Sequence, residues 1–451
     1  MEHDFDSRRA RRLCGALALV LILAGPAAAQ LPSLPGGGGG LPGGGLPGGG
    51  LPPTGEVGDR VRGTLGGVDG SVERLGDLTG QRAEALKALI RRNPREIDVD
   101  DRGGPVVRGQ ILAVAPSAAS LAAAQAAGFR ILHRETLEGG LEAVILAPPE
   151  RLNARQALKR LRKADPAGDY DFNHIYSGAG ETVALPAMTA APLVAAGFQA
   201  GGGVRIGLVD TGVDARHPAL AGARIEQRAF APGGVRAAAH GTAAASLLAG
   251  QAGGFRGAAP GATVLVGDVY GTGPTGGSAD AVARALGWME GSGVPVVNIS
   301  LVGPQNALVR AMVRRLSARG VLLVAAVGND GPAAPPLYPA AWPEVISVTG
   351  VDRRDRVLPE ACRGTHVDFA APGSDMAAAR PGGGYGGMRG TSFAAPLVAG
   401  RLALLRRGRS PAQAVAALGA EARDLGPRGP DRVYGRGLVA AELRMAPPGR
   451  R

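Results

Sequence analysis

The chain has 451 residues, with 50 basic and 38 acidic side chains and a formal charge of +12. That length asks for two or three domains, and a hydrophobic content of 45% supplies a large core. The positive balance leaves no nucleic-acid footprint: the basic residues are mostly scattered arginines, and aromatic stacking surfaces are only 4% of the chain.

Arg8, Arg9, Arg11 and Arg12 precede an apolar stretch from Leu13 to Ala24, and Ala27, Ala28 and Ala29 precede Gln30. This order predicts an export signal over 1–29, and so a secreted, periplasmic or cell-envelope protein. The apolar run is short of the roughly 20 residues that a membrane span needs, so no stable span is expected after signal removal. Residues 30–55 form a Gly/Pro/Leu linker in which Leu41-Pro42-Gly43-Gly44-Gly45 repeats at once as Leu46-Pro47-Gly48-Gly49-Gly50. Such a stretch cannot bury enough surface to fold. Helical spacing of Leu75, Leu78, Leu86, Leu89 and Ile90 predicts a helix over 72–92 within a segment 56–104, with Pro94 ending it.

Residues 105–176 predict a compact α+β domain. Strands are expected at Val106–Val114, Phe129–Glu135, Leu141–Leu146 and Tyr170–Tyr176, with helices at Ser117–Ala127 and Arg151–Ala164. The order βαββαβ is the ferredoxin-like arrangement. Its histidines, His133 and His174, have no ligand set around them in the sequence. An Ala/Gly/Pro-rich connection follows over 177–203. From 204 to 445, apolar runs at 204–209, 263–269, 294–301, 321–327 and 345–349 alternate with helical stretches at 240–250, 278–290, 305–319 and 392–407. That alternation predicts a doubly wound, mostly parallel α/β sheet with helices on both faces. Ligands of such sheets bind at the carboxyl ends of the strands. Cys14 lies in the export segment and leaves Cys362 alone in the body, where a buried small hydrophobe is the expected role.

Four polar residues sit where chemistry would be expected. Asp210 follows the strand Val204–Val209 and precedes a Thr-Gly turn. Singly, it could equally cap that turn. His240 opens a small-residue helix, where a hydrogen-bonded structural histidine is the plainer reading. Ser392 follows Gly390-Thr391 at a helix start, a position that suits an N-cap as well as a nucleophile. Asn329 follows the run 321–327 in an Asn-Asp-Gly turn, and its amide could serve a turn or an oxyanion.

Together the four are far more specific. Asp210-Thr211-Gly212-Val213-Asp214, His240-Gly241-Thr242, Ala325-Ala326-Val327-Gly328-Asn329 and Gly390-Thr391-Ser392 with Ala394-Ala395-Pro396 resemble the motifs of the subtilisin-like serine peptidases, in that family's order Asp, His, Ser. The resemblance spans about 200–440. It implies a serine endopeptidase with Ser392 as nucleophile, His240 as base, Asp210 as its orienter and Asn329 in the oxyanion hole. Ser300, Leu301, Val302, Gly303, Ala325, Ala326 and Val327 should line a cleft for protein or peptide substrates. It implies that 105–176 is a prodomain, a partner of its own catalytic domain until it is cut away. The chemistry requires no cofactor, and structural calcium, with Asp214 a candidate ligand, is common among relatives. Phe393 stands where methionine is usual, Leu397 replaces a common histidine, and Val327 stands where alanine is frequent. Rival readings are a silent peptide-binding relative, a dinucleotide enzyme and a metalloprotease. The glycines at 207–212 do not form G-x-G-x-x-G, and no H-E-x-x-H occurs.

Overall fold

The computed structural model describes residues 83–178, the backbone of 181–188, and residues 201–445. The expected export signal, the linker and residues 72–82 of the first predicted helix lie outside these. Helix α1 runs over 83–92. A five-stranded antiparallel sheet follows, made of β1 (Ile97–Val99), β2 (Pro105–Val114), β3 (Arg130–Thr136), β4 (Glu142–Ala147) and β5 (Tyr170–His174). Helices α2 (Ala118–Ala126) and α3 (Ala154–Ala164) cover one face. Strand β2 lies between β4 and β5, and β3 takes the outer edge beyond β4. This is the βαββαβ arrangement expected from the sequence. Helix α3 starts three residues later than predicted because Asn153 caps it: its side chain accepts from the Gln156 N–H, and Gln156 reaches back in a capping box.

Two short segments lead onward, β6 (Ser177–Gly178) and β7 (Glu181–Met188). The larger part of the chain then builds β8 (Arg205–Asp210), β9 (Arg224–Ala229), α4 (Ala239–Ala249), a small hairpin of β10 (Gln251–Ala252) and β11 (Phe255–Arg256), and β12 (Thr263–Asp268). Next come α5 (Ala279–Gly291), β13 (Val296–Ile299), β14 (Leu301–Val302), α6 (Ala307–Ala318), β15 (Leu322–Ala326) and β16 (Val345–Val351). Then follow β17 (Phe369–Pro372), β18 (Met376–Ala379), β19 (Tyr385–Arg389), α7 (Thr391–Leu405) and α8 (Pro411–Glu421).

Seven of these strands form one parallel sheet in the order β17-β16-β15-β13-β8-β12-β9. Alternation along each strand divides the core. Ile206, Leu208, Val264, Val266 and Val324 pack with α4 and α7, whereas Val209, Leu265, Val297 and Leu323 pack with α5 and α6. Burial on both faces explains why the inner strands read as continuous apolar runs. The polar edge strand β9 and the alanine-rich strand β18 carry no such signal. Strand β8 lies where the winding reverses, so its carboxyl end opens into the crevice that these folds use for ligands.

The ferredoxin-like layer packs directly on α5 and α6. Leu112, Val114, Leu137, Ala143, Ile145 and Tyr176 share a hydrophobic cluster with residues of both helices. Polar contacts set the docking. The Asp171 carboxylate accepts from the Ala307 N–H at 2.8 Å, and the Asn173 side chain accepts from the Asp280 N–H at 3.1 Å. Each satisfies an orphan donor in the first turn of a helix. The Tyr176 hydroxyl donates to the Pro304 carbonyl at 2.9 Å.

Candidate active site

Asp210 ends β8 with its carboxylate 1% exposed. One of its oxygens accepts from the Thr211 N–H at 2.7 Å. The loop behind it grips the start of α4: Thr211 Oγ1 accepts from the Gly241 N–H at 2.9 Å, and Thr242 Oγ1 accepts from the Asp214 N–H at 3.0 Å. A side chain at 241 would collide with the Thr211 carbonyl, so glycine there lets the helix approach. His240 occupies the first turn of α4 and thereby faces Asp210. Its Nδ1 lies 2.8 and 2.9 Å from the two carboxylate oxygens, and its Nε2 lies 2.9 Å from Ser392 Oγ. A carboxylate only accepts, so Nδ1 carries the proton and Nε2 is left to accept from the serine hydroxyl. Burial alone would lower the imidazole pKa, but the charge and hydrogen bond of Asp210 outweigh it and hold the value above that of ordinary histidine.

Ser392 begins α7 one residue inside Thr391. Gly390, at φ 138°, supplies a turn that side-chain-bearing residues rarely adopt. Pro396 stands four residues after Ser392 within the helix and has no N–H to donate to the Ser392 carbonyl. That carbonyl is satisfied from outside, by the Ser300 hydroxyl at 3.1 Å. Ser300 Oγ in turn accepts from Asn298 Nδ2 at 2.7 Å. The Phe393 ring lies 5.0 Å from the His240 ring, tilted by 44°.

Asn329 follows β15, beside the serine turn. Its Oδ1 accepts from the Thr391 N–H at 3.1 Å, and Thr391 Oγ1 accepts from the Gly328 N–H at 3.2 Å. With its oxygen so engaged, the amide is oriented with the NH₂ group away from Thr391. Thr391 as the tie between the two turns was not singled out in the sequence. Neither was Ser300 as a support for Ser392, although a proline four residues after Ser392 signals that its carbonyl needs another donor.

The residues expected to line the cleft divide into two groups. Leu301 and Val302 pair antiparallel with Gly178 and Ser177 of β6, so the chain's own segment lies as an added strand on β14. Gly303 admits the Tyr176 ring: a Cβ at 303 would sit 2.6 Å from its Cδ1. Ser300 is 1% exposed, and its hydroxyl is spent on the Ser392 carbonyl. Ala325 and Ala326 are fully buried in the two core layers, and Val327 packs with Cys362 and Val367. The Val327 side chain thus faces a small cluster of its own. Cys362 is buried as expected. Asp214 has both oxygens engaged with backbone, one with the Arg216 N–H and one with the Gly382 N–H. Among the described residues no group of three or more His, Cys, Asp or Glu side chains could hold a metal ion. Among the same residues no helix is long and apolar enough to cross a membrane.

Comparison with known proteins points to one family. Residues 201–437 match the Subtilase family model, Peptidase_S8. The chain is 33% identical over 250 residues to Subtilisin Savinase of Lederbergia lenta, covering 54% of this chain and 90% of that protein. It is 30% identical over 266 residues to Subtilisin E of Bacillus subtilis (strain 168), covering 55% of this chain and 68% of that protein. The structure of fervidolysin from Fervidobacterium pennivorans, described as a keratinolytic enzyme related to subtilisin, shares the fold with a TM-score of 0.65 at 22% identity, over 78% of this chain and 63% of that one. The parallel sheet, the order of its motifs and the family match over more than half of the chain make this protein a serine endopeptidase of the subtilase family.

Proposed function

We propose that the protein cleaves peptide bonds through an acyl-enzyme on Ser392, after export to the cell envelope or beyond. The observation that carries this reading is the unbroken hydrogen-bond chain from Asp210 through His240 to Ser392. His240 Nε2 takes the Ser392 proton as Oγ attacks the substrate carbonyl, and it later returns that proton to the leaving amine. Asp210 holds the tautomer and stabilises the imidazolium. The oxyanion is held by Asn329 Nδ2 and the Ser392 N–H, at a helix start whose dipole favours negative charge. Serine, histidine and aspartate complete this chemistry without a cofactor.

We further propose that 105–176 is a prodomain and that the enzyme matures by cutting its own chain between Gly178 and Glu181. Support comes from the path of the backbone. Ser177–Gly178 pairs with β14, and Glu181–Met188 pairs with β19, which leads straight into Ser392. Gly178 lies against the catalytic imidazole, where a Cβ would be 3.6 Å from His240 Nε2. A peptide substrate would then replace these segments by strand addition.

Labelling with a fluorophosphonate followed by peptide mass spectrometry tests the first proposal. An adduct on Ser392 that is lost in His240→Ala establishes a base-activated serine, and no adduct on folded protein freed of 105–176 refutes it. Sequencing the N-terminus of Ser392→Ala protein tests the second. The variant should keep residues before Gly178, and a wild-type N-terminus on it excludes self-cleavage.

A further inference from the structure

The strand laid on β19 bears on what the cleft selects beyond the bond that is cut. Strand β7 runs antiparallel to β19, and the backbone of Glu181 pairs with that of Arg389. Residues directly opposite in such a pair share a face of the sheet. A peptide residue that takes this register therefore shares the face of the Arg389 side chain. Arg389 lines a groove of about 370 Å³ with Asp352, Arg353, Arg354, Arg356 and Asp375.

The charges in this groove are unevenly spent. Arg356 is bound to Asp352 at 2.7 and 2.9 Å. Arg389 is bound to the buried Glu360 at 2.7 and 2.8 Å. Asp375 accepts from the Ser374 hydroxyl at 2.9 Å and from the Arg353 backbone N–H at 3.4 Å. The exposed guanidinium groups of Arg353 and Arg354 have no carboxylate within ion-pair distance among the described residues. Four arginines against Asp352, Asp375 and Glu360 leave the groove positive, and its unpaired charge lies at the solvent side.

We propose that this groove makes the enzyme selective for an acidic side chain on the C-terminal side of the cut bond, in the register that Glu181 holds on β19. The proposal rests on the reading of Ser392 as nucleophile and names the substrate class of that site. Arg353 and Arg354 are its specificity residues. A carboxylate there gains two guanidinium partners, while a lysine meets like charge. The chain's own sequence meets the requirement, because Glu181 stands at that position.

The test uses the full chain, with active sites counted by fluorophosphonate uptake at Ser392. Three fluorescence-quenched peptides copy residues 173–188, one unchanged, one with E181Q and one with E181K. At low salt kcat/KM should fall from Glu to Gln to Lys, with about a tenfold gap between the extremes, the scale of two exposed ion pairs. The gap should close in about 1 M salt. It should also close in the double variant Arg353→Ala, Arg354→Ala and persist in Arg353→Lys, Arg354→Lys. A labelled enzyme whose Glu and Lys peptides agree within about twofold at low salt overturns the groove assignment alone. A gap that survives in the alanine double variant does the same. Failure to label Ser392 overturns the serine reading, and the selectivity claim falls with it.

Discussion

The hydroxyl of Ser300 donates to the carbonyl of Ser392 at 3.1 Å, in place of the helix bond that Pro396 cannot make. Ser392 is thus fixed from both sides: His240 holds its side chain and Ser300 its main chain. Replacing Ser300 with alanine would leave a buried carbonyl without a donor. We expect Ser300→Ala to lose about 1–3 kcal/mol of stability, measured by denaturant titration. Turnover should fall while KM stays nearly constant, because the lost hydroxyl acts on the position of Ser392.

With His240 as the proposed base, its raised pKa should set the acid limb of activity. A protonated imidazole cannot accept the Ser392 proton, so the rate falls as pH drops through the folded-state value, which lies above the ordinary 6.5. A kcat/KM profile should show a single acid limb with its midpoint above 6.5. In Asp210→Asn that support is gone, and kcat should drop by about 10⁴, the scale known for the same change in another serine protease.

Removal of the Asn329 amide should act on the transition state alone. Asn329→Ala is expected to lower kcat by about 10²–10³ with little change in KM, a scale set on a subtilisin and carried over to this chain. Fluorophosphonate labelling of Ser392 should slow as well, since the phosphoryl oxygen occupies the same site.

Docking of the ferredoxin-like layer depends on space at Gly303. A Cβ there would sit 2.6 Å from the Tyr176 ring. In full-length Ser392→Ala protein, Gly303→Ala should loosen β6 from β14. Amide exchange at Leu301 and Val302 should quicken, while exchange in β8 and β13 should not change. Equal protection of Leu301 and Val302 in both proteins would show that the ring is not held through this contact.

Much of the fold could be read from residue pattern because the inner strands are buried on both faces. The run 321–327 has no polar position to confuse it, and Val204–Val209 has only Arg205, near its start. Strand β9, Arg224–Ala229, was missed because an edge strand keeps polar side chains. Strand β18 was missed because Met-Ala-Ala-Ala has the composition of a helix, and only its pairing with β19 makes it a strand. Helix α8 was missed for want of a strong apolar stripe, since it buries only Ala414 and Leu418. That Asp210, His240 and Ser392 would be brought together was legible as motifs with the right element before or after each. The burial of Ala325 and Ala326 was not, because a motif that frames a cleft does not reveal which of its side chains face inward.

The pairing of Ser177–Gly178 with Leu301–Val302 has a consequence for kinetics in solution. Both partners belong to one chain, so the segment meets His240, beside Gly178, at an effective concentration set by the fold and not by the amount of protein present. First-order processing is therefore expected, with a half-time that does not change on dilution. A foreign peptide must compete with this tethered strand, and its apparent affinity should improve once the tether is cut.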